Sequence, residues 1–147
     1  MKPNIHSQCT AFVQQRIDEL MRELNSLQDS KKADTKSSAG DKFETSTEML
    51  RQEEEKINRM LMQAHKMKQD LAQINPDRSH DQIQLGSLVK TNKGVYYMSI
   101  PLGRIPVGEN VVFCITMGSP IGQLLKGKEE GDEVTFNGNV FQILEVY

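Results

Sequence analysis

Apolar residues in the first half of the chain recur every three or four positions. Val13, Ile17, Leu20, Leu24 and Leu27 step by four, three, four and three. That spacing is a heptad seam, an apolar edge that needs a partner helix to cover it. It predicts a helix over residues 7–38, with Phe12 and Met21 widening the stripe and Glu19, Arg22, Glu23 and Gln28 on the outer face. Beyond Leu27 the seam positions turn polar, so pairing weakens there. A second run follows through Phe43, Ser46, Leu50, Glu53, Ile57, Met60, Ala64, Met67, Leu71 and Ile74, again in steps of three and four. No proline stands between Pro3 and Pro76, and Gly40 is the one glycine in that interval. Two seams joined by a short polar turn pair with each other. A single continuous helix, as in a dimeric coiled coil, would carry Ser37-Ser38-Ala39-Gly40 in its interior, where glycine is unfavourable by about 1 kcal/mol. The pattern predicts an antiparallel coiled-coil hairpin over residues 1–75 with its tip near residues 37–44. A helix of roughly 30 residues spans about 45 Å, so this architecture provides distance.

The period changes after Asn75-Pro76, where proline cannot continue a helix. Residues 76–80 read as a linker. Beyond it, Leu88-Val89, Val95 to Ile100, Val111 to Thr116, Glu133 to Phe136 and Val140 to Val146 are β-rich runs. Asn137-Gly138 marks a tight hairpin with positive φ at both central residues. Ser119-Pro120 opens a short helix, with serine as N-cap and proline at the first helical position, and Gly127 ends it. The fold class is therefore α+β: an N-terminal antiparallel helical hairpin, then a small antiparallel β-sheet unit with one short helix over residues 81–147. A unit of that size is close to the lower limit for a self-sufficient core.

Composition agrees with long solvated helices: 37% of residues are hydrophobic, 5% aromatic and 26% charged, and tryptophan is absent. Residues 1–75 carry twelve Lys/Arg against twelve Asp/Glu, and residues 76–147 carry six against eight. Neither half is a general polyanion binder. No apolar run of about 18 residues exists and no signal-peptide core is seen near Met1, so a soluble chain is expected. Cys9 and Cys114 lie in segments of different character and suggest no disulfide framework, so a reducing cytoplasm is expected. His6, His65 and His80 share no metal-ligand spacing with each other or with the cysteines. Met60 and Met67 lie on the seam as gap-fillers rather than on a binding face. Asp132 and Glu133 are adjacent on a strand and project to opposite faces, which makes no catalytic pair.

Candidate chemistry concentrates at the tip. Lys31, Lys32, Lys36 and Lys42 form either a solvated helix end or a phosphate-contacting collar, with Asp34 and Asp41 opposing them. Asp41 and Glu44, three residues apart, admit two readings. Asp-x-x-Glu opening a helix is a capping box, in which each side chain serves the other residue's backbone. Two carboxylates are also hard oxygen ligands suited to Mg²⁺, which takes only one or two protein carboxylates and keeps several waters.

The C-terminal motifs carry a family resemblance. Gly86-Ser87-Leu88-Val89, Ser119-Pro120-Ile121-Gly122, Leu124-Leu125-Lys126-Gly127-Lys128, Gly131-Asp132-Glu133-Val134 and Phe141-Gln142-Ile143-Leu144-Glu145-Val146 resemble the C-terminal domain of bacterial GreA/GreB-type transcript-cleavage factors. That family places an antiparallel coiled coil before an FKBP-like domain, so the resemblance spans nearly the whole chain. Its tip carries Gly-Asp followed, after two residues, by Glu-Asn-Ala-Glu-Tyr. Gly40, Asp41 and Glu44 match, whereas Thr45, Ser46 and Thr47 depart and Glu48 holds the tyrosine position.

The resemblance implies a monomer that binds bacterial RNA polymerase and inserts its coiled coil through the secondary channel. Asp41 and Glu44 would complete a second Mg²⁺ site at the polymerase active centre, promoting hydrolysis of backtracked nascent RNA. The chain would then be no enzyme itself and would hold no metal alone. Three alternatives stand beside this: a channel-binding regulator that does not promote cleavage, a coiled-coil adaptor, and a prolyl isomerase. The last conflicts with the scarcity of aromatics, Tyr96, Tyr97, Phe113, Phe136, Phe141 and Tyr147, to floor a proline pocket.

Overall fold

The computed structural model describes residues 1–37 and 41–147, and side chains over residues 1–33 and 45–147. Two long helices, α1 (Lys2–Ser37) and α2 (Asp41–Ala72), precede a six-stranded sheet interrupted by α3 (Pro120–Leu125). The strands are β1 (Leu88–Thr91), β2 (Gly94–Met98), β3 (Gly103–Val107), β4 (Asn110–Ile115), β5 (Glu133–Phe136) and β6 (Asn139–Val146). The fold is α+β, a helical hairpin followed by a small sheet with one short helix. The chain divides into two compact units: residues 12–68 form one, and residues 1–11 with 69–147 form the other.

Within the unit of residues 12–68 the helices pair in opposite senses, early positions against late. Lys68 Nζ donates to Gln14 Oε1 at 2.8 Å, and Lys31 Nζ lies 3.7 Å from Glu54 Oε2. Val13, Ile17 and Leu20 of α1 and Ile57, Leu61 and Ala64 of α2 are buried. The seam differs from its sequence pattern in three places. Phe12 and Met21 do not widen the stripe; both are exposed. Leu61, off the strict heptad, is buried beside a half-buried Met60. Glu53 is exposed whereas Glu54 is half-buried, where it meets Lys31. A 3.6-residue helix drifts against a strict heptad by about 20° per repeat, so the buried edge moves onto neighbouring residues. Leu24 and Leu27 are only half-buried, as polar seam positions ahead of them predict.

In the other unit the sheet order is β3-β4-β2-β1-β6-β5. Four of the five pairings are antiparallel, as the fold class requires, but β2 and β4 are parallel, with Val95 opposite Val112 and Tyr97 opposite Cys114. The reason is β3, a strand the sequence pattern misses. Gly103 and Pro106 weaken its strand signal, and it occupies the sheet edge, where a proline without an N–H is tolerated. Running antiparallel to β4 from its outer side, β3 lets the chain leave β2 and return in the same direction.

Asn137 and Gly138 have φ of 51° and 79°, the conformation predicted for the β5–β6 hairpin. Ser119 caps α3, its Oγ accepting from Gly122 N at 3.1 Å, with Pro120 at the first position. A Cβ on Gly122 would stand 2.1 Å from the Thr116 carbonyl oxygen, so only glycine lets α3 start this close to β4. Ile83, Val89, Met98, Leu125, Val134, Phe141 and Ile143 form the core that α3 closes.

Candidate functional site

Asp41 is the first residue of α2, and Glu44 lies one helical turn along it. Their side chains, with those of Lys36 and Lys42, lie outside the described residues, as do both the capping and the ligand readings. Lys31 and Lys32 are described and exposed, and Lys31 is drawn toward Glu54 of the opposite helix. Glu48 is engaged: Arg51 donates to it through Nε at 3.1 Å and Nη2 at 2.5 Å, while Arg51 Nη1 reaches Glu55 at 2.5 Å. Those hydrogen bonds from Arg51 hold the Glu48 carboxyl below its usual range. The residue at the departing tyrosine position is thus an acid paired along its own helix.

Farther along the hairpin a groove of 650 Å³ opens beside Leu27 and Ile57, walled by Glu19, Arg22, Glu23 and Glu53. It marks where the apolar seam gives way to charge. Its mixed signs give no convergent site for an anion or a cation.

The second concentration of chemistry lies where the first turns of α1 meet the sheet, a site that no spacing along the chain announces. The His6 Nδ1 and Tyr97 hydroxyl are 2.7 Å apart, with the rings edge to face. Burial keeps the His6 pKa below its ordinary value and pushes the Tyr97 pKa up. One turn along α1, Cys9 Sγ lies 3.2 Å from Cys114 Sγ, with both residues buried and both thiols free. The two cysteines stand 105 positions apart in the chain and meet because β4 sets Cys114 beside Tyr97 of β2, under the same helix face. Hydrogen bonding with Cys114 pulls the Cys9 pKa down, against the effect of burial, and the same contact pushes that of Cys114 up. Ser99 Oγ, buried and otherwise unpaired among the described residues, adjoins Cys114. Periodicity could have placed Ile5, Cys9 and Val13 on one face of α1, but not what covers that face.

Nearby, Lys2 is buried and donates through Nζ to the Arg78 carbonyl at 2.5 Å; desolvation lowers its pKa. His80 Nδ1 lies 2.8 Å from Ser87 Oγ, which also accepts from Gln84 N. Burial, then the positive charges of Lys2 and Arg78, lower the His80 pKa. No group of three His, Cys, Asp or Glu side chains that could hold a metal occurs among the described residues. The aromatics of the sheet unit pack on one another: Tyr96 stacks on Phe113 at 5.3 Å and meets Phe141 edge-on at 6.2 Å. Among the described residues no helix is long and apolar enough to cross a membrane.

No protein-family model matches the chain, and no curated protein matches it either. Solved structures do. The crystal structure of GreA factor homolog 1 (Gfh1) protein of Thermus thermophilus is similar over 94% of this chain and 94% of that one, at 16% identity and a TM-score of 0.39. A structure of the transcription factor Gfh1 is similar over 90% of this chain and 93% of that one, at 18% identity and a TM-score of 0.36.

Proposed function

We propose that this protein is a transcription elongation factor that binds bacterial RNA polymerase and carries carboxylates into its secondary channel. The observation that carries the reading is that Asp41 opens α2 and Glu44 stands one turn along it, at the end of a long helix. The described 32 residues of α2 amount to about 48 Å of helix, a length suited to a deep channel. The motif string of residues 86–146 supports docking of the sheet unit at the channel entrance. In this reading Asp41 and Glu44 lend ligands to a second Mg²⁺ at the polymerase active centre. That ion activates water and stabilises the leaving oxygen while the nascent RNA 3′ end is hydrolysed. The polymerase is the catalyst, the factor holds no metal by itself, and it acts as a cytoplasmic monomer. Lys31, Lys32, Lys36 and Lys42 would supply the positive field that accompanies the RNA backbone.

The test is release of short 3′ RNA fragments from a stalled, backtracked elongation complex in Mg²⁺. Wild type accelerates release; Asp41→Asn and Glu44→Gln each reduce the acceleration by at least about tenfold without weakening polymerase binding. A second reading, occupation of the channel without cleavage, is favoured by one observation: Glu48, where the family pattern has tyrosine, is tied to Arg51. If wild type binds polymerase but leaves the transcript intact, that reading replaces the first. Failure to bind polymerase rejects both.

A further inference from the structure

The buried cysteine pair serves no part of that function, and its geometry has a chemistry of its own. Cys9 Sγ and Cys114 Sγ approach to 3.2 Å, about 1.2 Å beyond disulfide bonding distance. Both residues belong to the compact unit that contains the sheet, so closing the gap requires only local adjustment of the first turns of α1. We propose that Cys9 and Cys114 are a peroxide-responsive thiol pair, converted reversibly into an intramolecular disulfide that fastens the start of α1 to β4.

Either sulfur can donate across the contact. In the proposed sequence Cys114 keeps its proton and donates it toward Cys9, whose thiolate is thereby stabilised and acts as the nucleophile. The Cys9 thiolate attacks one oxygen of hydrogen peroxide; the O–O bond breaks, Cys9 becomes a sulfenic acid, and the departing hydroxide takes up the proton that Cys9 released on ionising and leaves as water. Cys114 sulfur then attacks Cys9 sulfur and displaces the hydroxyl, which leaves as water with the Cys114 proton. Two thiols and one peroxide yield one disulfide and two waters, the two electrons lost by sulfur having reduced the peroxide. Both thiols are essentially inaccessible, at 0% and 1% exposure, so the oxidant must be small and uncharged. It enters through transient local opening of the first turns of α1 over the sheet. A partner thiol already in contact captures the sulfenic acid before it oxidises further. In a reducing compartment such a bond reports oxidation rather than supporting the fold permanently.

The experiment uses the full chain, freshly reduced, exposed to a few equivalents of hydrogen peroxide, then alkylated and mapped by mass spectrometry. The expected product is a monomer lighter by two hydrogen atoms, with the Cys9 and Cys114 peptides joined and released by dithiothreitol. A bulky aromatic disulfide should react at least tenfold more slowly than with the unfolded chain. In Cys114→Ser, dimedone should trap a sulfenic acid at Cys9; in Cys9→Ser, Cys114 should be trapped far less. Two free thiols after treatment, a mixed or intermolecular disulfide as the main product, or irreversible sulfinic acid at Cys9 would each overturn the pair. Stronger trapping at Cys114 than at Cys9 would overturn the assignment of the nucleophile.

Discussion

Gly122 shows how much one missing atom can decide. Its backbone lies so near Thr116 that any Cβ meets a carbonyl oxygen at 2.1 Å, and the obstacle is main chain that cannot rotate away. Gly122→Ala should lower the unfolding free energy by about 2–3 kcal/mol, in the range of overpacked sites, as read from urea denaturation of the full chain. Ser119→Ala removes the cap and the hydroxyl's 2.7 Å bond to the Thr116 carbonyl, and should cost about 1–2 kcal/mol in the same assay. The histidines set a pH dependence. His6 and His80 both have pKa values lowered by burial, so the unfolded chain binds a proton more readily than the folded one. Their contribution is intact above the unfolded value near 6.5 and is lost as pH falls below it. Denaturation midpoints should therefore drop between about pH 7 and pH 5, and His6→Gln should flatten that slope. The cap and the hairpin turn were legible because serine, proline, asparagine and glycine impose local backbone geometry. The constraint on Gly122 was not, because it comes from a neighbour six positions away, on the approach to a helix.

At the scale of elements, the heptad spacing found two paired helices but misjudged their edges. Leu61 is 7% exposed and Met62 is 74% exposed, although they are neighbours on α2. Leu61→Ala should cost about 2–4 kcal/mol and Met62→Ala under about 0.5 kcal/mol, measured by thermal or chemical unfolding followed at 222 nm. A strict heptad reading predicts no such cost at Leu61, so the comparison separates drift of the helix face from an ideal seam. β3 escaped the pattern for a different reason. An edge strand has one free side, so it accepts Pro106 and needs little alternation, and its presence is what makes β2 and β4 run parallel.

At the scale of the whole molecule, the two compact units do not coincide with the change of period at Pro76. Residues 1–11 belong with the sheet, where Ile5 and Cys9 are buried and His6 meets Tyr97. A chain beginning at residue 12 would leave Tyr97 and Cys114 uncovered. It should melt at least about 5 °C below the full chain, as a loss of roughly 2 kcal/mol or more implies for 147 residues. Measurement by calorimetry would distinguish this from mere loss of helical signal. Closing the Cys9–Cys114 bond acts in the opposite sense. It restricts an unfolded loop of about a hundred residues and should raise unfolding free energy by up to about 4–5 kcal/mol, visible as a higher midpoint that dithiothreitol reverses.

By itself the sequence determined the elements whose causes are local: two seams from residue spacing, a break at Pro76, a capped short helix and an Asn-Gly hairpin. It also carried the motif in which Asp41 and Glu44 stand, since a helix opening needs only its own residues. Tertiary structure alone decided which strands became neighbours, which way β4 runs beside β2, and that Cys9 and Cys114 touch. Those outcomes depend on contacts between positions far apart in the chain, where spacing along the sequence carries no distance in space. Once β4 lay beside β2 and the first turns of α1 met them, a hundred residues of separation shrank to 3.2 Å between two sulfurs.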